Sequence, residues 1–131
     1  GNPHCHLILR GGANGPNYES QYVTEAGEKM AKGGLAKNIV IDCSHGNSKK
    51  KFENQPLVAE DIAAQITAGG PGASIKGVMI ESHIVEGAQK IGNGTGLTYG
   101  QSITDACIGW STTEAVLDAL ATAVRKRRAG K

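Results

Sequence analysis

The chain has 131 residues, the size of one domain, and a formal charge of only +2. No apolar run approaches the roughly 18 residues that cross a bilayer, which excludes a membrane-spanning helix. One Trp and one Phe leave few platforms for stacking nucleotides, and the basic tail Arg125, Lys126, Arg127 and Arg128 reads as cations complementing the dipole of a last helix, so no nucleic-acid partner is expected.

The opening GNPHCHLILRGG lacks a basic segment followed by a long apolar stretch and a cleavage site, so a cytoplasmic location is expected. Cys5, Cys43 and Cys107 form an odd set without CxxC spacing, which predicts free thiols instead of a disulfide framework or zinc ribbon. HLILR (6–10) predicts a first strand that ends on Arg10. Residues 20–32 follow, with Tyr22, Val23, Ala26 and Met30 at helical spacing, and stop at Gly33 and Gly34.

NIVIDCS (38–44) predicts a second strand that runs directly into His45 and three lysines. Pro56 opens a second helix over 56–68, with Val58, Ile62, Ala63 and Ile66 facing the core, closed by Gly69 and Gly70. GVMIES (77–82) predicts a third strand ending near Glu81, and SITDACI (102–108) a weaker fourth that contains Asp105. Ser111 and Glu114 stand in capping-box spacing at the start of a last helix that would bury Val116, Leu117, Leu120 and Val124.

The first three strands are almost continuously apolar, the pattern of strands buried on both faces. Their alternation with helices predicts a parallel α/β sheet, either a small doubly wound fold or part of a (β/α)₈ barrel. In both, sites are built at the carboxyl ends of the strands, where this sequence places Arg10, His45, Glu81 and Asp105. Each has an ordinary explanation alone: a salt bridge, a loop hydrogen bond, a solvated carboxylate or a cap. Together, His45, Glu81 and Asp105 are a coherent donor set for manganese, iron, cobalt or zinc. Arg10 adds a planar fork for phosphate, with Gly11 and Gly12 expected to let backbone amides approach an anion. Strict alternation would turn Cys43 to the side of His45 but a layer deeper, so it is not expected to be a ligand.

The runs HLILRGG (6–12), IDCSHGNSKK (41–50), GVMIESHIVEGAQ (77–89) and LTYGQSITDACIGW (97–110) closely resemble the type I 3-deoxy-D-arabino-heptulosonate 7-phosphate (DAHP) synthases. The resemblance implies that residues 1–131 are the C-terminal half of a single catalytic (β/α)₈ barrel, strands five to eight with their helices. It further implies a metal-dependent condensation of phosphoenolpyruvate with erythrose 4-phosphate, the first step of the shikimate pathway of aromatic amino acid biosynthesis. His45, Glu81 and Asp105 match the family's metal ligands, with His45 also catalytic and placed near the phosphoenolpyruvate phosphate. Arg10 matches a phosphate-binding arginine, and Lys50 a lysine that could contact an anion. Cys5 and Cys107 match cysteines of the same half, whereas the family's fourth ligand, a cysteine, belongs to the absent N-terminal half. Partners implied are the two substrates, that missing half and a second copy in a homo-oligomer. The alternatives are a fragment inactive by itself, or half a barrel of another metal-dependent aldolase or isomerase.

Overall fold

The computed structural model describes residue 2 and residues 4–130. Three parallel strands, β1 (Leu7–Leu9), β2 (Ile39–Asp42) and β3 (Ile75–Met79), form one sheet in the order β1-β2-β3. Helix α1 (Ser20–Lys32) joins the first two and α2 (Gln55–Ala68) the second two. These are β-α-β units, as the alternation of apolar runs with helical spacing predicts. Pro56 lies in the first turn of α2, where its missing N–H leaves no intrahelical bond unmade. A 3₁₀ segment, Gly70–Ser74, then leads into β3.

The register sets Leu7, Ile8 and Leu9 beside Ile39, Val40 and Ile41, and then Ile39, Val40 and Ile41 beside Ile75, Gly77 and Val78. Alternation gives the sheet two unlike faces. Leu9, Ile39, Ile41 and Ile75 are buried in one core with Val23 and Ala26 of α1 and Val58, Ala59 and Ile62 of α2. Burying one such aliphatic side chain contributes about 1.5–3 kcal/mol, so this face holds the fold together. On the opposite face Ile8 is 53 % exposed, and Val40 and Gly77 beside it are half-buried. Strands of this composition were expected to be covered on both sides; within the described residues the helices cover one.

The fourth strand differs most from expectation. Ser102 pairs with another short element: β4 (Val85–Ala88) and β5 (Gln101–Ser102) make a separate two-stranded parallel ribbon. Residues 103–105 bend, and the main sheet resumes only at a single parallel bridge between Ser82 and Ile108. Ile108 N–H donates to the Glu81 carbonyl and its own carbonyl accepts from His83 N–H, both at 3.0 Å. The break has a local cause. Ser102 Oγ accepts from Thr104 N–H and meets the Thr104 hydroxyl, an arrangement that competes with a strand ladder. Asp105 therefore lies in an exposed bend and not within a strand.

Helix α3 (Trp110–Ala129) packs against α2. Its N-cap is Gly109 with no side-chain cap, so the Ser111/Glu114 capping box does not form; Thr113 Oγ instead donates to the Gly109 carbonyl at 2.9 Å. Val116 and Ala123 are buried and Leu120 and Val124 pack partly against the core, but Leu117 is half exposed. Starting at Trp110 fixes the helix phase so that the buried stripe passes through Thr113, Val116, Leu120 and Ala123, leaving Leu117 at its rim. Lys126, Arg127 and Arg128 occupy the last turn, as the dipole argument expects. No helix among the described residues is long and apolar enough to cross a membrane.

Candidate metal centre

The carboxyl end of β2 turns abruptly into the segment SHGNSKK (44–50). His45, Lys49 and Lys50 all take left-handed φ values, 44°, 54° and 59°. Each such non-glycine residue costs about 1–2 kcal/mol, and three within six residues need compensation from the surroundings. Asn47 supplies much of it. It is buried; its amide donates to the carbonyls of Leu9 at 3.1 Å and Asp42 at 2.8 Å, while its Oδ1 accepts from Asn17 N–H at 2.8 Å. The mouths of β1 and β2 are thereby tied to each other. They also touch through glycine. A Cβ on Gly11, whose φ is 76°, would stand 2.6 Å from the Gly46 carbonyl carbon, and one on Gly46 would stand 3.0 Å from the Arg10 carbonyl oxygen.

The left-handed turn defeats the strand alternation that would set Cys43 and His45 on one side. Cys43 is fully buried, whereas the His45 side chain is 32 % exposed and folds back so that Nδ1 lies 2.8 Å from Asp42 Oδ2. Burial, and secondarily the Asp42 charge, push the Cys43 thiol up to about 12. It takes no part in the site. All three cysteines are free.

Glu81 lies two residues past β3, beyond the ladder that would hold it. The buried Gln55 side chain substitutes for a neighbouring strand: its Oε1 accepts from Glu81 N–H at 2.8 Å and its Nε2 donates to the Glu81 carbonyl at 3.0 Å. Ser44 Oγ donates to Glu81 Oε2 at 2.9 Å, leaving Oε1 turned toward His45 Nε2 at 3.8 Å. Asp105 reaches the same place from the exposed bend. One donor atom from each of His45, Glu81 and Asp105 lies within 4.8 Å of the other two. The nearby Cys107 thiol is pushed up, first by burial and further by the charges of Glu81 and Asp105, against a lowering hydrogen bond from Ser102.

An imidazole nitrogen and two carboxylate oxygens fit a divalent transition metal. Two donors sharing such an ion at about 2.1 Å stand at most about 4.2 Å apart, so a small inward movement completes the set. Asp105, exposed and with no hydrogen bond to its carboxylate among the described residues, has that freedom. The three donors open onto a cavity of ≈ 320 Å³ lined also by Arg10, Ser44, Lys50, Phe52 and Ala106. All five residues singled out from the sequence, Arg10, His45, Lys50, Glu81 and Asp105, line it. The amides of Gly11 and Gly12 do not form the expected anion cradle, since they donate to Asn17 Oδ1 and to the Gly15 carbonyl. Asp42, Ser44, Asn47 and Gln55 were not singled out. Asp42 and Ser44 lie in the same short run as His45, but only the turn shows which groups they meet.

Parallel strands with a histidine and two carboxylates gathered at their carboxyl ends define an α/β protein with a candidate divalent-cation site. The chain belongs to the DAHP synthetase I family, whose model matches residues 1–118. It is 53 % identical over 128 residues to the Phe-sensitive phospho-2-dehydro-3-deoxyheptonate aldolase of Escherichia coli (strain K12), covering 98 % of this chain and 36 % of that protein. The phenylalanine-inhibited phospho-2-dehydro-3-deoxyheptonate aldolase of Saccharomyces cerevisiae is 53 % identical over 135 residues, with the same shares covered. A solved phospho-2-dehydro-3-deoxyheptonate aldolase from Francisella tularensis superposes with a TM-score of 0.91 at 45 % identity, over 97 % of this chain and 36 % of that one. The chain thus spans little more than a third of the length of these relatives.

Proposed function

We propose that the polypeptide carrying this segment is a cytoplasmic, metal-dependent DAHP synthase, joining phosphoenolpyruvate to erythrose 4-phosphate and releasing phosphate. The segment supplies the C-terminal half of its (β/α)₈ barrel. The observation that carries this reading is the convergence of His45, Glu81, Asp105, Arg10 and Lys50 on one cavity at the strand mouths, in a chain of this family. The exposed sheet face around Ile8 supports the barrel, because a closed barrel buries that face against strands outside this segment. Exposed apolar side chains elsewhere, among them Leu57, Ile84 and Trp110, suit further association into a homo-oligomer.

In this reaction one C–C bond forms between the two substrates, water is consumed, and the phosphate of phosphoenolpyruvate departs. His45, Glu81 and Asp105 would hold the metal, together with a cysteine from the N-terminal half. A bound divalent ion supplies Lewis acidity to an aldehyde oxygen or lowers the pKa of a water. Arg10 presents its guanidinium fork to the phosphate, and Lys50 adds a second cation on the same wall. Glu81 is held in place by Gln55 and Ser44, so it would meet the ion already oriented and with little reorganisation.

The direct test replaces His45, Glu81 and Asp105 singly by Ala in the intact polypeptide; each change should abolish chelator-sensitive condensation. Wild-type turnover in any of the three would refute the ligand assignment. Arg10→Lys should raise KM for phosphoenolpyruvate and leave metal content unchanged, because it keeps the charge but loses the fork. Residues 1–131 by themselves should not turn over, with activity returning only on addition of a separately expressed N-terminal half.

A further inference from the structure

The centre is organised by a residue that never reaches the cavity. Asp42, the last residue of β2, is only 4 % exposed and its carboxylate is used twice. Oδ1 accepts from Ser44 N–H at 2.8 Å, and Oδ2 stands 2.8 Å from His45 Nδ1. The contact has hydrogen-bond length and a carboxylate oxygen is an acceptor, so the geometry suits an Nδ1–H donor on the imidazole. With Nδ1 protonated, the neutral ring carries its free lone pair on Nε2, the nitrogen that faces Glu81 Oε1.

The left-handed φ of 44° at His45 makes this contact. In a continued strand, residues three apart point to opposite faces and could not meet. The turn brings the ring back over Asp42, and Asn47 holds the turn through the Asp42 carbonyl. Ser44, whose backbone Asp42 binds, passes the order on by donating its hydroxyl to Glu81 Oε2. Asp42, Ser44 and Asn47 thus orient two candidate ligands that come from different strand ends.

We propose that Asp42 is a positioning residue for the metal centre: it fixes the tautomer and ring plane of His45 so that Nε2, and not Nδ1, binds the ion. A carboxylate behind a metal-bound imidazole raises the basicity of the ligand nitrogen and reduces the freedom lost on binding. The inference rests on the metal reading above, and its test separates the two.

The intact polypeptide is loaded with zinc as a diamagnetic probe. Histidine ring nitrogens are assigned by nitrogen-15 NMR, and zinc affinity is measured by competition with a chromophoric chelator. Zinc on Nε2 of His45 with the proton on Nδ1 is expected in the unmodified protein. Asp42→Asn should lower zinc affinity on the order of 10- to 100-fold and weaken the preference for the Nδ1–H tautomer in the zinc-free protein. Zinc on Nδ1, or an Asp42→Asn variant with unchanged affinity and tautomer, overturns the proposal. His45→Ala is the control. If it leaves zinc affinity unchanged, the metal centre itself is wrong and the role of Asp42 falls with it; if it weakens binding while Asp42→Asn does not, only the role of Asp42 falls. Should Asp42→Asn fail to fold, the nitrogen assignment in the unmodified protein decides alone.

Discussion

Two regions feed the candidate site, and they are built in opposite ways. The mouth of β2, residues 42–48, is polar yet buried: Asp42, Ser44, Asn47 and Ser48 are each at most 6 % exposed, and all have hydrogen-bond partners. The excursion from 83 to 105 is largely open to solvent, with every residue from 91 to 99 exposed and Tyr99 at 88 %. The first supplies His45 and orients Glu81; the second supplies Asp105. The contrast teaches that two candidate ligands are preorganised by hydrogen bonds to buried residues, whereas the third candidate is carried on an exposed bend free to move inward.

Stability measurements sharpen that contrast, and Asn47→Ala should have the largest effect. Removing its side chain leaves the Leu9 and Asp42 carbonyls and the Asn17 N–H without their partner, at about 1–3 kcal/mol for each buried group not rescued by water. A loss of at least about 3 kcal/mol is expected in urea unfolding; a loss below about 1 kcal/mol would show that the β2 mouth is not a fixed unit. Next come two glycines of similar φ, Gly11 at 76° and Gly94 at 82°. Gly94→Ala, with nothing within 4 Å of the added Cβ, should cost only the left-handed penalty of about 1–2 kcal/mol. Gly11→Ala should cost more, because backbone atoms of Gly46 and Asn47 stand 2.6–2.8 Å from the new carbon. Equal losses would erase the distinction between the two regions.

The third effect is a pH dependence. The buried Cys43 thiol holds its proton up to about 12, while the unfolded chain releases it near the ordinary 9. Between those values the native state binds more protons, so its stability should fall as pH rises from 9 toward 12. Comparing unfolding midpoints of the unmodified chain and Cys43→Ala over that window checks the sign, since the variant should lack this part of the slope. Tyr99→Ala should have the smallest effect, within about 0.5 kcal/mol of zero, as expected of a surface side chain in the open excursion. A large loss there would mean that the excursion packs against something.

The sequence by itself determined the β-α-β order, the helices at 20–32 and 56–68, and five of the eight residues that line one cavity. These follow from signals a few residues long: apolar runs, helical spacing, Gly–Gly stops and chemistry-bearing residues just after strands. It did not determine where the fourth strand fails, because that depends on Ser102 and Thr104 bonding each other and on β5 finding β4. Nor did it show that Leu117 would lie at the helix rim, since the phase of α3 is set by an uncapped start at Gly109 and not by Ser111 and Glu114. Tertiary structure alone decided which polar residues serve the site. Asp42, Ser44, Asn47 and Gln55 look in the sequence like ordinary strand-end and loop residues. They acquire their roles because a buried polar group must find a partner, and the partners available are the carbonyls, imidazole and carboxylate that the converging strand ends bring within 3.1 Å.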